Sequence, residues 1–200
     1  MIKTIILDIG NVLADYCWEK YFASFHFEKE VFDKVAAATV KNVDWDEYDR
    51  GVLTDREVLN RFIENDPSVE AEIRAVNENL SNIIEVFSYT KDWIQDLKKQ
   101  GFAVYILSNF SEKCYRDCGD KMDFVSLADG AVFSWQEKLI KPDDAIYQRI
   151  LKRYQLNAEE CIFFDDREDN IAAACENGIH GIVFHTLSQA KEELRNIDKI

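Results

Sequence analysis

The chain has 200 residues, 47% of them apolar, which is enough for one compact domain or a domain with a sizeable insertion and too apolar for disorder. Lys and Arg total 24 against 38 Asp and Glu, a net charge of -14 with a pI near 4.6, so the surface has the wrong sign for nucleic-acid phosphates or an anionic membrane. An anionic substrate would need a local metal ion, a lysine or a helix N-terminus to reverse that field.

No apolar run approaches the roughly 18–20 residues that span a bilayer. Asp8 interrupts the N-terminal apolar stretch too early for a signal peptide, so a cytoplasmic protein is expected. The five cysteines are then expected as reduced thiols; Cys114 and Cys118 stand one helical turn apart, but no second Cys or His pair completes a tetrahedral site.

In chain order, apolar or β-branched runs at 4–7, 102–107, 131–135, 161–164 and 181–184 read as buried strands. Segments of helical period at 91–100, 143–154 and 168–177 separate most of them, with Gly101 and Gly178 as stops and Pro142 as a start. This alternation predicts an α/β fold, a Rossmann-like doubly wound parallel sheet formed by 1–15 and 87–200. Residues 16–86 show no strand signal and carry amphipathic patterns at 30–40, 55–64 and 70–84. They predict a helical insertion leaving the carboxyl edge of the sheet after the first strand, where a lid would sit.

Four groups of residues stand out for chemistry. Asp8 ends the first strand and precedes Gly10, which lets the backbone turn closely around a ligand, although a polar strand end is also ordinary. Ser108 and Asn109 follow the 102–107 strand and open a predicted helix, where they can bind phosphate oxygens or cap the helix. Lys141, before Pro142, reads either as a surface lysine or as the charge balance for an anion held beside a carboxylate. Asp165 and Asp166 end the 161–164 strand, with Asp169 and Asn170 in the next helical turn. Adjacent carboxylates repel unless a cation lies between them, and a cluster of hard oxygens suits Mg²⁺; the later pair also stabilises a helix N-terminus. All four groups fall at one edge of one predicted sheet. His26, His180 and His185 do not cluster, and Trp18, Tyr21, Phe22 and Trp45 read mostly as core of the insertion.

The sequence resembles the haloacid dehalogenase superfamily, and within it the phosphatases with a helical cap inserted after the first motif. Asp8 in Leu7-Asp8-Ile9-Gly10-Asn11-Val12 is similar to the first family motif, Ser108-Asn109 to the second, Lys141-Pro142 to the third and Phe164-Asp165-Asp166 to the fourth, while residues 45–54 resemble the turn between cap helices. The resemblance implies phosphoryl transfer through an aspartyl-phosphate on Asp8. It implies Mg²⁺ held by Asp8, the Gly10 carbonyl and Asp166, with Asp165 acting directly or through water. It also implies that Ser108, the Asn109 backbone and Lys141 bind the transferring oxygens.

Gly10 departs from the family, because most of its phosphatases carry there a second Asp that protonates the leaving group and activates water. The D-x-G-N-V form resembles a subgroup similar to glucose-1-phosphate phosphatases, with β-phosphoglucomutase-like proteins as neighbours. Asp15, Asp46 and Glu47 are candidates for the missing acid/base. The substrate expected is a small phosphorylated metabolite, with a sugar phosphate first; no nucleic-acid or membrane partner is expected, and no oligomeric state is implied. The alternatives are a mutase-like enzyme, a metal-free dehalogenase, which the Asp165-Asp166 pair fits poorly, and a catalytically silent binding protein.

Overall fold

The computed structural model describes residues 1–197. Strand β1 (Thr4–Leu7) is followed by a short β2 (Ala14–Tyr16) and then by α1 (Trp18–Ala23), α2 (Lys29–Ala38), α3 (Val43–Arg50), α4 (Asp55–Asn65) and α5 (Glu70–Glu78). Strand β3 (Ile84–Val86) leads back to α6 (Thr90–Lys99), β4 (Ala103–Ser108), α7 (Glu112–Cys118), β5 (Gly130–Phe133) and α8 (Ser134–Glu137). The chain ends with α9 (Asp144–Tyr154), β6 (Cys161–Asp165), α10 (Glu168–Glu176), β7 (His180–Val183) and α11 (Leu187–Ile197).

The five longer-range strands form one parallel sheet in the order β5-β4-β1-β6-β7. Every residue of β1 and β6 is buried because helices cover both faces. Ile5, Leu7, Val104, Ile106, Ile162 and Phe164 face one side, against Trp93 and Leu97 of α6 and Leu194 of α11. Ile6, Leu107 and Phe163 face the other, against Ile146, Tyr147 and Ile150 of α9 and Ala174 of α10. The expected doubly wound sheet is therefore present, with Gly101 and Gly178 at positive φ just past α6 and α10. Because β1 lies between β4 and β6, the carboxyl ends of three strands meet at the crevice where α/β sheets bind ligands. No described helix is long and apolar enough to cross a membrane.

The expectation of a strand-free insertion is corrected by β2 and β3, which pair antiparallel with Ala14 opposite Val86 and Tyr16 opposite Ile84. Three residues per strand are too few to display an alternating pattern. The helix expected over 70–84 stops at Glu78 because Asn79 turns extended and its side-chain oxygen accepts a hydrogen bond from the Ser81 amide at 2.9 Å. Ser108 and Asn109 do not open a helix; α7 begins at Glu112, capped by Ser111, whose hydroxyl accepts from the Cys114 amide at 3.2 Å. Pro142 likewise precedes α9 by two residues, with Asp143 at its N-cap position.

Between β2 and β3 the helices share a core in which Trp45 stacks on Phe62 at 5.9 Å and Tyr48 meets both rings edge-on. The corner between α3 and α4 is fastened to the sheet. Ser134 donates from its hydroxyl to the Asp49 carbonyl at 2.5 Å and accepts from the Phe110 amide at 2.9 Å. Lys138 donates to the Gly51 carbonyl, and Arg50 is ion-paired with Asp143 at 3.0 Å. Helix α4 then starts with a reciprocal cap between Thr54 and Glu57, worth about 1 kcal/mol.

Gly51 makes this corner possible. Its φ is +70°, and a Cβ there would lie 2.8 Å from the Trp135 Cα. Gly51→Ala is expected to cost about 1–3 kcal/mol through strain and overpacking. Thermal unfolding checks it, at about 2–4 °C of Tm per kcal/mol for a chain of this size; an unchanged Tm would show that the corner is loosely packed.

Candidate active site

At the carboxyl ends of β1, β4 and β6, the Lys141 side chain enters a buried position and its ammonium meets three acceptors. These are the Asp165 carboxylate at 2.6 Å, the Asp8 carboxylate at 2.9 Å and the Leu107 carbonyl at 3.1 Å. Desolvation disfavours the ammonium, but the Asp165 and Asp8 charges outweigh it and raise the lysine's pKa, so it stays charged. Its ring neighbour is Phe163, 5.2 Å below the ammonium.

Asn109 fixes the lysine's backbone from the facing loop. Its amide donates to the Lys141 carbonyl at 2.9 Å and its oxygen accepts from the Lys141 amide at 2.8 Å. Two bonds in opposite directions hold the Lys141 backbone in register with the end of β4. The side chain is thereby consumed in positioning, which the motif reading did not reveal. Ser108, buried at the last residue of β4, makes a single long contact to the Asn109 carbonyl at 3.5 Å and does not line the cleft.

The carboxylates have distinct surroundings. Asp165 is fully buried; besides Lys141 it accepts from the Arg167 amide at 2.9 Å and from the Asn170 side chain at 3.0 Å on both oxygens. Asp166 accepts from the Asn11 side chain at 2.8 Å, and Asn11 in turn accepts from the Tyr16 amide at 3.2 Å, linking the loop after β6 to β2. Asn11 sits at φ +54°, a left-handed turn that asparagine tolerates, and this position was overlooked in the sequence. Asp8 has an oxygen that is buried and, despite its proximity to Lys141, lacks a well-directed hydrogen bond.

Asp8, Asp165 and Asp166 each bring an oxygen within 4.8 Å of the others, the one such group of three among the described residues. Cys114 and Cys118 are buried with their sulfurs 3.9 Å apart and form no such group. Three carboxylates share one ammonium, so charge remains uncompensated. Burial pushes the Asp8 carboxyl up to about 7, Lys141 pulls against it, and Asp165 and Asp166 add to the rise. Burial also raises Asp166, opposed by the bond from Asn11. A triad of hard carboxylate donors bearing more negative charge than one ammonium offsets fits a divalent cation of the Mg²⁺ type.

These groups open into a cleft of about 230 Å³ whose other wall comes from the insertion, with Tyr16, Val40, Trp45, Asp46 and Asp49 facing Asp8 and Lys141. Of the residues considered for acid/base work, Asp46 lines this cleft. Glu47 is instead ion-paired with Arg50 at 3.2 Å, and Asp15 stands on β2 opposite Glu85; neither borders the cleft. None of the three histidines borders it.

Residues 2–178 match the haloacid dehalogenase-like hydrolases, and the chain belongs to that family. It is 26% identical over 200 residues to the drimenol cyclase drtB of Aspergillus calidoustus, a match that takes in 98% of this chain and 37% of that much longer protein. It is 25% identical to the sesquiterpene phosphatase astK of Aspergillus oryzae, over 90% of this chain and 88% of that one. Its fold is similar to that of a HAD family enzyme of Bacteroides thetaiotaomicron in complex with magnesium and inorganic phosphate, with a TM-score of 0.71, 20% identity and coverage of 95% and 99% of the two chains.

Removing the ammonium should leave Asp8 and Asp165 buried without their counter-charge. Lys141→Met is expected to lower the unfolding free energy by about 3–5 kcal/mol in metal-free buffer. The denaturant midpoint at unchanged m-value measures this; a loss below about 1 kcal/mol would show that the carboxylates compensate by taking up a proton.

Proposed function

We propose that the chain is a Mg²⁺-dependent phosphatase acting on a small phosphorylated metabolite. The observation that carries this reading is the buried Lys141 held between Asp8 and Asp165 beside a third carboxylate, a site that is short of positive charge and open to a cleft. Such a site attracts a dianionic phosphate together with a divalent cation.

In this reading residues 16–86 act as a cap over a core of 1–15 and 87–200. The Asp8 carboxylate attacks phosphorus and carries the aspartyl-phosphate. Lys141 and the Asn109 backbone amide neutralise and orient the transferring oxygens; Ser108, outside the cleft lining, has no such contact in this reading. Asp8, the Gly10 carbonyl and Asp166 hold the metal. Asp165 has both oxygens occupied by protein donors, which supports a role in orienting Lys141 and reaching the metal through water. When bound, Mg²⁺ screens the carboxylates and polarises the phosphoryl group.

A cleft of about 230 Å³ lies below the roughly 300–1,000 Å³ of pockets that enclose drug-sized ligands, which supports a small substrate. For a sugar phosphate, Trp45 lines the cleft as an aromatic wall, and the buried Tyr16 hydroxyl, without a protein partner, is free to pair with a substrate oxygen. Val40, Ile84 and Phe110 on the same walls, with the relative named a sesquiterpene phosphatase, favour a second reading in which the ester carries a terpenyl chain.

Phosphate release from sugar phosphates, farnesyl phosphate and 4-nitrophenyl phosphate tests both. Turnover is expected with Mg²⁺, absent in EDTA, and at least about a thousandfold lower in Asp8→Asn. Activity that persists in EDTA would overturn metal dependence, and the preferred ester separates the two substrate classes.

A further inference from the structure

Gly10 leaves the reaction without the carboxyl that the family places two residues after its nucleophile. Chain neighbours aside, a Cβ on Gly10 would have the Asp8 carboxylate, at 3.9 Å, as its one contact within 4 Å. A proton donor must therefore come from the opposite wall of the cleft. Of the titratable groups there, Tyr16 and Cys114 are held well above their ordinary pKa values by burial and, for Cys114, first by its contact with Cys118; neither cycles through its charged form near neutrality. Arg167 is committed to Asp169 at 2.6 Å. Asp46 and Asp49 remain, and they differ in setting. Asp46 is exposed on the rim, and the Arg167 charge works against the rise that burial gives its carboxyl. Asp49 is half-buried, and its backbone carbonyl is tied to Ser134 at the end of β5.

Resting on the phosphatase reading, we propose that Asp49 is the catalytic acid/base, supplied by the insertion in place of the residue missing at Gly10. As the bond between phosphorus and the leaving-group oxygen breaks and the Asp8 oxygen bonds to phosphorus, the Asp49 carboxyl gives its proton to the departing oxygen. The resulting Asp49 carboxylate then takes a proton from the water that attacks phosphorus, phosphate leaves, and the Asp8 carboxylate and Asp49 carboxyl are restored. Three features support the assignment. Asp49 lines the same cleft as Asp8 and Lys141. Its carboxyl is pushed up to about 8, by burial first and then by the Asp46 and Asp8 charges against the Ser111 amide and Lys141, so it holds a proton to give. The Tyr16 hydroxyl lines the same cleft, buried without a protein partner and free to donate to a substrate oxygen.

The test compares Asp49→Asn and Asp46→Asn with wild type on two esters in Mg²⁺: a hexose 6-phosphate, whose alkoxide needs a proton to leave, and 4-nitrophenyl phosphate, whose phenolate does not. In Asp49→Asn, kcat/KM for the hexose ester is expected to fall by about 10²–10⁴, while kcat/KM for the nitrophenyl ester stays within about tenfold. The nitrophenyl ester should also give a burst of one nitrophenolate per enzyme before slow turnover, because water attack has lost its base. Asp46→Asn should leave both kcat/KM values within about tenfold of wild type. Equal losses on both esters, no loss on either, or the selective loss in Asp46→Asn instead would overturn the assignment. Thermal unfolding of Asp49→Asn within a few degrees of wild type excludes misfolding as the cause. Absence of wild-type turnover on both esters and on farnesyl phosphate overturns the phosphatase reading itself, and this assignment with it, whereas active wild type with unselective variants overturns the assignment alone.

Discussion

One buried ammonium organises this molecule's functional edge. Lys141 stands where the ends of β1, β4 and β6 converge; its ammonium donates to the Leu107 carbonyl and Asp165 and is ion-paired with Asp8. Burying a lysine is tolerable only because these acceptors replace its water, and burying two carboxylates is tolerable only because the lysine is there. Each group is thus a condition for the others, and the sheet order that places β1 between its two neighbours is what brings them within reach. The compensation is incomplete by design of the residue types, since three acidic side chains meet one basic one. That imbalance leaves negative charge uncompensated at the site, which is the feature on which the proposed divalent-ion binding rests.

Around this centre the amides act as positioning devices. Asn109 clamps the Lys141 backbone, Asn170 bridges both Asp165 oxygens, and Asn11 connects Asp166 to the strand that leads into the insertion. Neutral side chains suit this task, because they orient charges without altering the net charge of the site. The last of them also gives the inserted helices a direct mechanical tie to the acidic cluster, through two consecutive hydrogen bonds.

Much of this was legible in the sequence where the signal was long or chemically distinctive. The buried strands were visible as continuous apolar runs, and Asp8, Asp165 and Asp166 at strand ends, with Lys141 before a predicted helix, pointed to the sheet edge where the structure brings these four together. The β2–β3 ribbon was not legible, since three residues cannot show a period and the two strands are separated by the whole insertion. The end of α5 depended on a side-chain turn at Asn79, and the start of α7 on Ser111 instead of Ser108, both decided by hydrogen bonds that residue type alone leaves open. Asp49 stayed hidden for a different reason. In an acidic helix reading Val43-Asp44-Trp45-Asp46-Glu47-Tyr48-Asp49-Arg50, four carboxylates look alike until the fold shows which of them faces inward.

The position of β1 also has a consequence for the order in which the molecule is built. Its Thr4 pairs with Ala103 on one side and with Cys161 on the other, so the first strand to leave the ribosome waits for partners 99 and 157 residues downstream. During that interval a largely apolar strand has both hydrogen-bonding edges free, the condition under which chains self-associate. The inserted helices, whose aromatic core is made from contacts internal to 18–78, can collapse in the meantime because their closure distances are short. The strand that leads into Asp8 is therefore a segment that needs protection while the chain is incomplete.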